Sequence, residues 1–498
     1  MRAPAAVGRD AELAEVDLFL GQMTAASCAL ALEGDAGIGK TTLWQETVDR
    51  ARDNGTMVLA CRPAAAEAKL SFSGLSDMLA AVQEPAFAAL PDLQRNALEV
   101  ALLRSAPDGP ALDARLVATA LLTLLRELAS GAPVLLAIDD AQWLDGPTAG
   151  VLTFAIRRLD PEPVGVVCAT RPHAAGLGLL DSVERDRVRR VRVGPLALGA
   201  LGQVIADRLG HSLPRPVLAR IEQASRGNPF YALEVALLVV DANGASDARL
   251  PVPDDVRTLA ASRVSELPAA TQRALLRAAV LAEPTTRAID AAPLGPAEER
   301  GIVRIDERGR IAFVHPLFAA AISASASAAQ RRAAHRAAAE HVGDPEQRAR
   351  HLAYSADRAD PAVAAELDAA AEVAASRGAP DAAAELIELA VERTPGRDGE
   401  LRAERLLRAA GLHLDAGGVA RAGELLSQLL GSVTSDRVRA HGLRLRATLE
   451  SRSHGFATAL ATFAEDVRAH TRRGPCPATR RAPILPVPPR TALAEVHR

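Results

Sequence analysis

Residues Gly34-Asp-Ala-Gly37-Ile-Gly39-Lys40-Thr41 fit the pattern GxxxxGK[ST] in full. A short apolar run, Cys28 to Leu32, precedes them, and a helical pattern from Thr41 to Arg52 follows. A strand that delivers a glycine-rich loop to the start of a helix builds an anion cradle. The glycines Gly34, Gly37 and Gly39 let the backbone wrap closely and point successive N–H groups at a phosphate. The helix start adds unpaired N–H groups and the positive end of its dipole. Lys40 is placed to reach the terminal phosphates, the Thr41 hydroxyl to ligate Mg²⁺, and Thr42 to extend the cradle into the first turn. Of 58 basic residues only Lys40 and Lys69 are lysine. A compact ammonium at position 40 fits where a planar guanidinium would not.

A chain of 498 residues is too long for one core and predicts about three or four domains. Its net charge of −3 gives no bulk attraction to nucleic acid or anionic membrane. The cysteines Cys28, Cys61, Cys168 and Cys476 lack metal-ligand spacing and read as free thiols in a reducing compartment. No apolar stretch reaches the ~20 residues that cross a bilayer. The N-terminus lacks a signal-peptide layout. The expectation is a cytoplasmic protein with no membrane partner.

Residues 1–195 alternate apolar runs with amphipathic stretches, the pattern of a parallel sheet with helices on both faces. The expected strands are Cys28–Leu32, Met57–Cys61, Val134–Ile138, Val164–Ala169 and Val188–Val193. The first four are continuously apolar, as strands covered on both faces are. The fifth interleaves valine with arginine and is expected at an edge. Residues 196–250 read as a helical segment broken at Gly227-Asn-Pro229. Beyond the Pro-rich Leu250-Pro-Val-Pro253, residues 251–327 read as two or three helices and a hairpin, Ile302–Ile305 with Arg310–Val314. That pattern is winged-helix-like. It has no obviously basic recognition helix, so packing is favoured over DNA binding.

Residues 328–471 are alanine-rich helix. Arg377-Gly-Ala-Pro-Asp-Ala, Ala416-Gly-Gly-Val-Ala-Arg and Arg452-Ser-His-Gly-Phe-Ala recur at intervals of 39 and 36 residues. The period is near that of tetratricopeptide-like repeats, with ordinary helix pairs as the alternative. Residues 472–498 read as a disordered tail, with six prolines between 475 and 489. The abrupt end of the repeats suggests truncation or a shifted reading frame near residue 472.

Val134-Leu-Leu-Ala-Ile-Asp139-Asp140 is an apolar strand ending in two carboxylates. A nucleotide site of this kind needs such a strand, whose acid reaches Mg²⁺ beside Thr41. Asp139 is the candidate metal ligand. Asp140 is the candidate for polarising the attacking water, with Asp145 as the alternative. Cys168-Ala-Thr170-Arg171-Pro172 ends the next strand, and ligands of parallel sheets lie at such carboxyl ends. Arg171 is placed to sense the γ-phosphate or neutralise its developing charge, with a surface arginine before a turn as the alternative.

The ordered set VGRDAEL, GDAGIGKTT, VLLAIDDAQWLD, CATRP, RGNPFYALE and FVHPLF resembles one family. It is similar to the signal-transducing ATPases with numerous domains, and within them to the large ATP-binding LuxR-type regulators. The resemblance covers roughly residues 5 to 470. It implies a multidomain protein: an α/β P-loop NTPase domain of the AAA type, a helical lid, a winged-helix-like module and tetratricopeptide-like repeats. By that resemblance Val7, Gly8 and Arg9 lie against the adenine, and Pro229 of the lid contacts the nucleotide from above. His315 matches a histidine that touches the ADP β-phosphate; its alternative is a core histidine. The repeats match a sensor region that receives an inducer or partner protein. The helix-turn-helix that ends such regulators has no counterpart after residue 470, so DNA is a partner only if a missing C-terminal domain exists.

These readings together predict a regulatory switch in transcriptional regulation or signal transduction. It would bind ATP/ADP with Mg²⁺, hydrolyse ATP slowly and self-associate according to nucleotide state. The alternatives are an ATP-consuming enzyme of another P-loop class and a nucleotide-binding scaffold that does not hydrolyse.

Overall fold

The computed structural model describes residues 6–106, 112–172, 177–241, 256–432 and 435–454. Cys476, the Leu250–Pro253 boundary, most of the third repeat and the 472–498 tail lie outside them.

Five strands form one parallel sheet in the order β2-β3-β4-β1-β5. They are β1 (Cys28–Glu33), β2 (Met57–Cys61), β3 (Val134–Ile138), β4 (Val164–Thr170) and β5 (Val188–Arg192). The helices of this unit are α1 (Asp10–Met23), α2 (Lys40–Asp53), α3 (Ser73–Leu79), α4 (Glu84–Ala88), α5 (Asp92–Ala101), α6 (Ala114–Gly131) and α7 (Gly146–Ile156). The two-residue side-chain period of β1 sends Leu30 and Leu32 to one core and Ala29 and Ala31 to the other. On the first face Phe19, Leu43, Trp44 and Val48 of α1 and α2 cover the sheet. Fully burying one such aliphatic side chain contributes about 1.5–3 kcal/mol. β5 is at the edge, as its alternating arginines require, and Arg189 and Arg190 find Glu15 and Glu33 there.

Register places the carboxyl ends side by side: Glu33 pairs with Thr170, and Ile138 with Cys168. The Gly34 loop, Asp139 and Arg171 therefore leave the sheet at one edge. Next come α8 (Leu198–Leu209), α9 (Arg215–Ser225) and α10 (Pro229–Asp241), sharing a small core around Leu201, Ile205, Ile221 and Val235. Arg226 and Gly227 both take positive φ (50° and 72°), which ends α9 and restarts the chain as α10 at Pro229.

Residues 256–327 hold α11 (Val256–Ser265), α12 (Ala269–Val280), α13 (Gly295–Glu299) and α14 (Pro316–Ser325). Between α13 and α14, β6 (Val303–Ile305) and β7 (Ile311–Phe313) form an antiparallel hairpin, shorter at both strands than the sequence pattern predicts. The helix before the hairpin, Gly-Pro-Ala-Glu-Glu, is short and acidic.

The remaining helices are α15 (Ala328–Ala339), α16 (Pro345–Ser355), α17 (Pro361–Ser376), α18 (Pro380–Arg393), α19 (Gly399–Asp415), α20 (Val419–Ser432) and α21 (Asp436–His454). Asp344 and Asp360 cap α16 and α17 ahead of Pro at the first turn. Gly378 and Gly417, one in each of the first two repeat starts, both take φ 82° at a helix end. Ala334 and Ala338 of α15 share a core with Phe318 and Leu275 rather than with the helices that follow. The core of α16–α20 is continuous with the face of the sheet covered by α3–α7. Among the described residues no helix is long and apolar enough to cross a membrane.

Candidate nucleotide site

The loop from Gly34 to Gly39 is tightly held. A Cβ on Gly34 would lie 2.8 Å from both Ile38 Cγ2 and the Val193 carbonyl oxygen, so no larger residue fits. Gly37 takes φ 78°, and a Cβ there would meet Phe230 Cβ at 2.8 Å. Gly39, at φ 106°, is the N-cap of α2 with no side-chain cap, which leaves the first N–H groups open to an anion. Lys40 is 7% exposed, and its ammonium donates to the Asp35 carbonyl at 2.9 Å. Burial lowers its pKa, with Arg171 acting in the same direction and Asp140, Asp139 and Asp35 opposing.

The Thr41 hydroxyl lies 3.3 Å from Asp139 Oδ1. A hydroxyl beside a carboxylate is a hard-oxygen pair, which suits Mg²⁺ completed by water and phosphate oxygens. Burial and the neighbouring Asp140 push the Asp139 carboxyl up to about 6, against the opposing pull of Arg62. A cation there would restore its ionised form. Asp140 sits in the left-handed region (φ 46°, ψ 48°), and its N–H donates to Asp139 Oδ1 at 3.0 Å. Arg171 follows Thr170 at the end of β4. Its Nε is buried without a partner among the described residues, as a donor left for an anion would be.

The α9–α10 junction reaches the same loop, and residues 256–327 join it through Phe230. Asn228 donates from Nδ2 to the Ala36 carbonyl at 3.0 Å, and the Phe230 N–H donates to the Gly37 carbonyl at 3.3 Å. The Phe230 ring stacks on His315, with centroids 4.0 Å apart. Burial, Lys40 and Arg171 hold the His315 imidazole down at about 4, so it is neutral at pH 7. Its Nδ1 accepts from the Leu317 N–H at 3.2 Å, capping α14, so the ring proton belongs on Nε2. His315 is therefore a fixed donor within the field of Lys40 and Arg171.

Other sequence expectations find different surroundings. The Arg9 guanidinium is buried and engaged by the Ile38 carbonyl (2.8 Å) and Glu12 (2.9 Å), bracing the loop instead of presenting a free edge to a base. Gly8, at φ 68°, packs against Ala200 of α8, and Val7 is half-buried beside it. Thr42 is half-buried in the first turn of α2, and Pro229 begins α10 next to Phe230. Asp145 is not available to activate water. Its Oδ1 accepts from the Phe72 and Thr148 N–H groups and its Oδ2 from Gly74 N–H and Ser73 Oγ, at 2.9–3.2 Å. It caps α7 and anchors the start of α3. Sequence reasoning missed Phe230 as a contact of the loop and Gln142, whose Nε2 donates to Asp140 Oδ1 at 2.7 Å, as a neighbour of the candidate acid. An aromatic directly after Gly-Asn-Pro was the available signal for the first.

Fold and loop together define a P-loop nucleoside-triphosphatase domain. More narrowly, residues 5–167 match the family model described as AAA ATPase domain, so the chain carries an AAA-type ATPase domain, a fold that binds nucleotide. No curated protein matches the chain. Among solved structures it is similar to the ORC1 protein of Aeropyrum pernix in complex with DNA, at 17% identity over 65% of this chain and 94% of that one, with a TM-score of 0.33. A RuvB mutant of Thermotoga maritima gives 19%, 61%, 92% and 0.29. ORC of Drosophila bound to DNA gives 17%, 64%, 82% and 0.30.

Proposed function

We propose that the protein is an ATP-binding regulatory switch with slow Mg²⁺-dependent hydrolysis, acting in the cytoplasm in signal transduction or transcriptional regulation. The observation that carries this reading is Phe230, which touches Gly37 of the phosphate loop through its backbone and His315 through its ring. One residue of the lid thereby joins the loop to the module of residues 256–327. A change in the bound phosphates is felt at once by three parts of the chain, as a switch requires.

In this reading Lys40 and the N-terminus of α2 hold the phosphates, and Thr41 and Asp139 hold Mg²⁺, which neutralises phosphate charge. Asp140 polarises the attacking water, and Arg171 offers its guanidinium to the γ-phosphate. His315 donates from Nε2 toward the β-phosphate, and Pro229 closes the lid over the nucleotide. The winged-helix-like module packs here rather than reading DNA, in keeping with its short acidic third helix. The tetratricopeptide-like array of residues 328–471 receives an inducer or protein partner, and the ATP state favours self-association.

The test is to denature the purified protein, identify the nucleotide released, and then follow turnover. The expectation is retained ADP and turnover well below the ~10 s⁻¹ typical of enzymes. Fast turnover that needs no partner, with no nucleotide retained, would refute the switch.

A further inference from the structure

Gln142 has no part in the roles above, yet it touches the residue on which hydrolysis turns. It lies in the 3₁₀ turn Ala141–Trp143, directly after the left-handed Asp140. That conformation folds the chain back, so Gln142 Nε2 donates to Asp140 Oδ1 at 2.7 Å. An ionised carboxylate can only accept, so the amide nitrogen must face Asp140 and the amide oxygen must face away. Gln142 Oε1 then lies 3.5 Å from the Thr170 hydroxyl at the end of β4. One half-buried amide thus spans the carboxyl ends of β3 and β4. Aspartate tolerates the left-handed region better than most residues, and here the bonds from Gln142 Nε2 to Asp140 Oδ1 and from the Asp140 N–H to Asp139 hold it there.

We propose that Gln142 is a positioning residue for ATP hydrolysis, clamping one oxygen of Asp140 so that the other faces the attacking water. This rests on the reading of Asp140 as the water-activating residue. In the step it serves, a water O–H bond breaks and its proton passes to Asp140 Oδ2. The water oxygen forms a bond to the γ-phosphorus, and the bond from that phosphorus to the β–γ bridging oxygen breaks. ADP leaves with the electron pair, and Asp140 returns the proton to solvent. Gln142 touches neither water nor phosphate; it holds the acceptor at one angle. A displacement of about 1 Å at such a group costs roughly 100-fold in rate.

The experiment is a double-variant cycle on the full chain, with single-turnover ATP hydrolysis, ATP affinity and thermal melting measured for every member. Gln142→Leu removes the donor and the acceptor, and Gln142→Glu keeps the shape while setting a like charge against Asp140. Each is expected to slow hydrolysis about 10- to 100-fold, with ATP affinity and melting temperature close to the parent's. Neither should slow the Asp140→Asn protein further, because the carboxylate they act through is gone. Parent-like hydrolysis in Asp140→Asn itself would remove the underlying reading of Asp140. A slow Asp140→Asn beside parent-like Gln142 variants would overturn the positioning role alone. So would Gln142 variants whose slowing adds to that of Asp140→Asn, or comes with lost ATP affinity or a lowered melting temperature.

Discussion

Arg377 and Glu346 form a 2.6 Å ion pair, sealed from solvent, where the helical array meets the ATPase domain. The guanidinium also donates to the carbonyls of Ser71 and Ala101, both at 2.8 Å, while Glu346 accepts from Ser71 Oγ at 2.6 Å. Breaking one partner of a buried pair costs about 3–5 kcal/mol, whereas replacing both with apolar groups is often neutral. Arg377→Met is therefore expected to lower the melting temperature and raise amide exchange in residues 71–79 and 101–105. Adding Glu346→Leu should recover much of that loss. Equal or greater destabilisation in the double variant would show that the pair itself holds the interface.

Lys40→Ala removes the buried ammonium from the phosphate loop. Charged hydrogen bonds contribute about 1.5–3 kcal/mol each, so nucleotide affinity is expected to fall roughly 10- to 150-fold for each such bond lost, as read by titration calorimetry. Undiminished affinity would exclude the loop as the nucleotide site.

Phe230→Ala deletes the stacking contact with His315 but leaves the backbone bond to Gly37. Aromatic pairs contribute about 0.5–1.5 kcal/mol beyond area burial. ADP release should quicken roughly 2- to 10-fold, measured with a fluorescent analogue, with the melting point of the sheet little changed. An unaltered release rate would argue against lid closure through this ring.

Asp145→Ala leaves three buried N–H groups without their acceptor. At about 1–3 kcal/mol for each unsatisfied group, the expected loss is at least about 3 kcal/mol in chemical denaturation. Hydrolysis per folded molecule should change far less than in Asp140→Asn. If instead turnover vanishes while stability holds, Asp145 is the water-activating acid after all.

His335 and His351 face each other with Nδ1 atoms 2.9 Å apart on α15 and α16. Burial pushes both imidazoles down to about 4, helped by Arg331 at His335 and by His335 itself at His351. Between about 6.5 and 4 the unfolded chain takes up protons that the folded one refuses. Stability that is intact above pH 6.5 is therefore lost as pH falls through that window. Circular-dichroism melting at pH 7.5 and 5 should show the array loosening at the lower pH, and His351→Leu should blunt the difference.

Much of this arrangement was legible in the sequence because strand and loop signals are local. Continuous apolar runs locate β1 to β4, and arginines within β5 locate one edge, while β2, the half-buried strand at the other edge, carries no such mark. Gly34 to Thr41 carry their own chemistry. What stayed hidden depends on contacts between distant segments. The Glu346 carboxylate reads as an ordinary first-turn acid of a helix, because nothing nearby in sequence reveals Ser71 or Arg377. Asp145 looked like a second catalytic acid since proximity to Asp139 is visible and the N–H groups of residues 72–74 are not. The family resemblance puts Arg9 on the base side, and no sequence signal shows that its guanidinium bonds the Ile38 carbonyl and Glu12. The role of Gln142 required knowing that Asp140 is left-handed, a backbone property that a non-glycine residue does not advertise.

The bond between Phe230 and Gly37 also bears on traffic. On the proposed switch reading, the hydrogen bonds from Asn228 to Ala36 and from Phe230 to Gly37 hold residues 228–230 over the loop, and this segment lifts before a nucleotide enters or leaves. Exchange can then run no faster than that lifting, and the lifetime of either state is written into the grip of one short segment. Under the same reading, a partner that loosened that grip would act as a doorkeeper for the site without ever touching the phosphates.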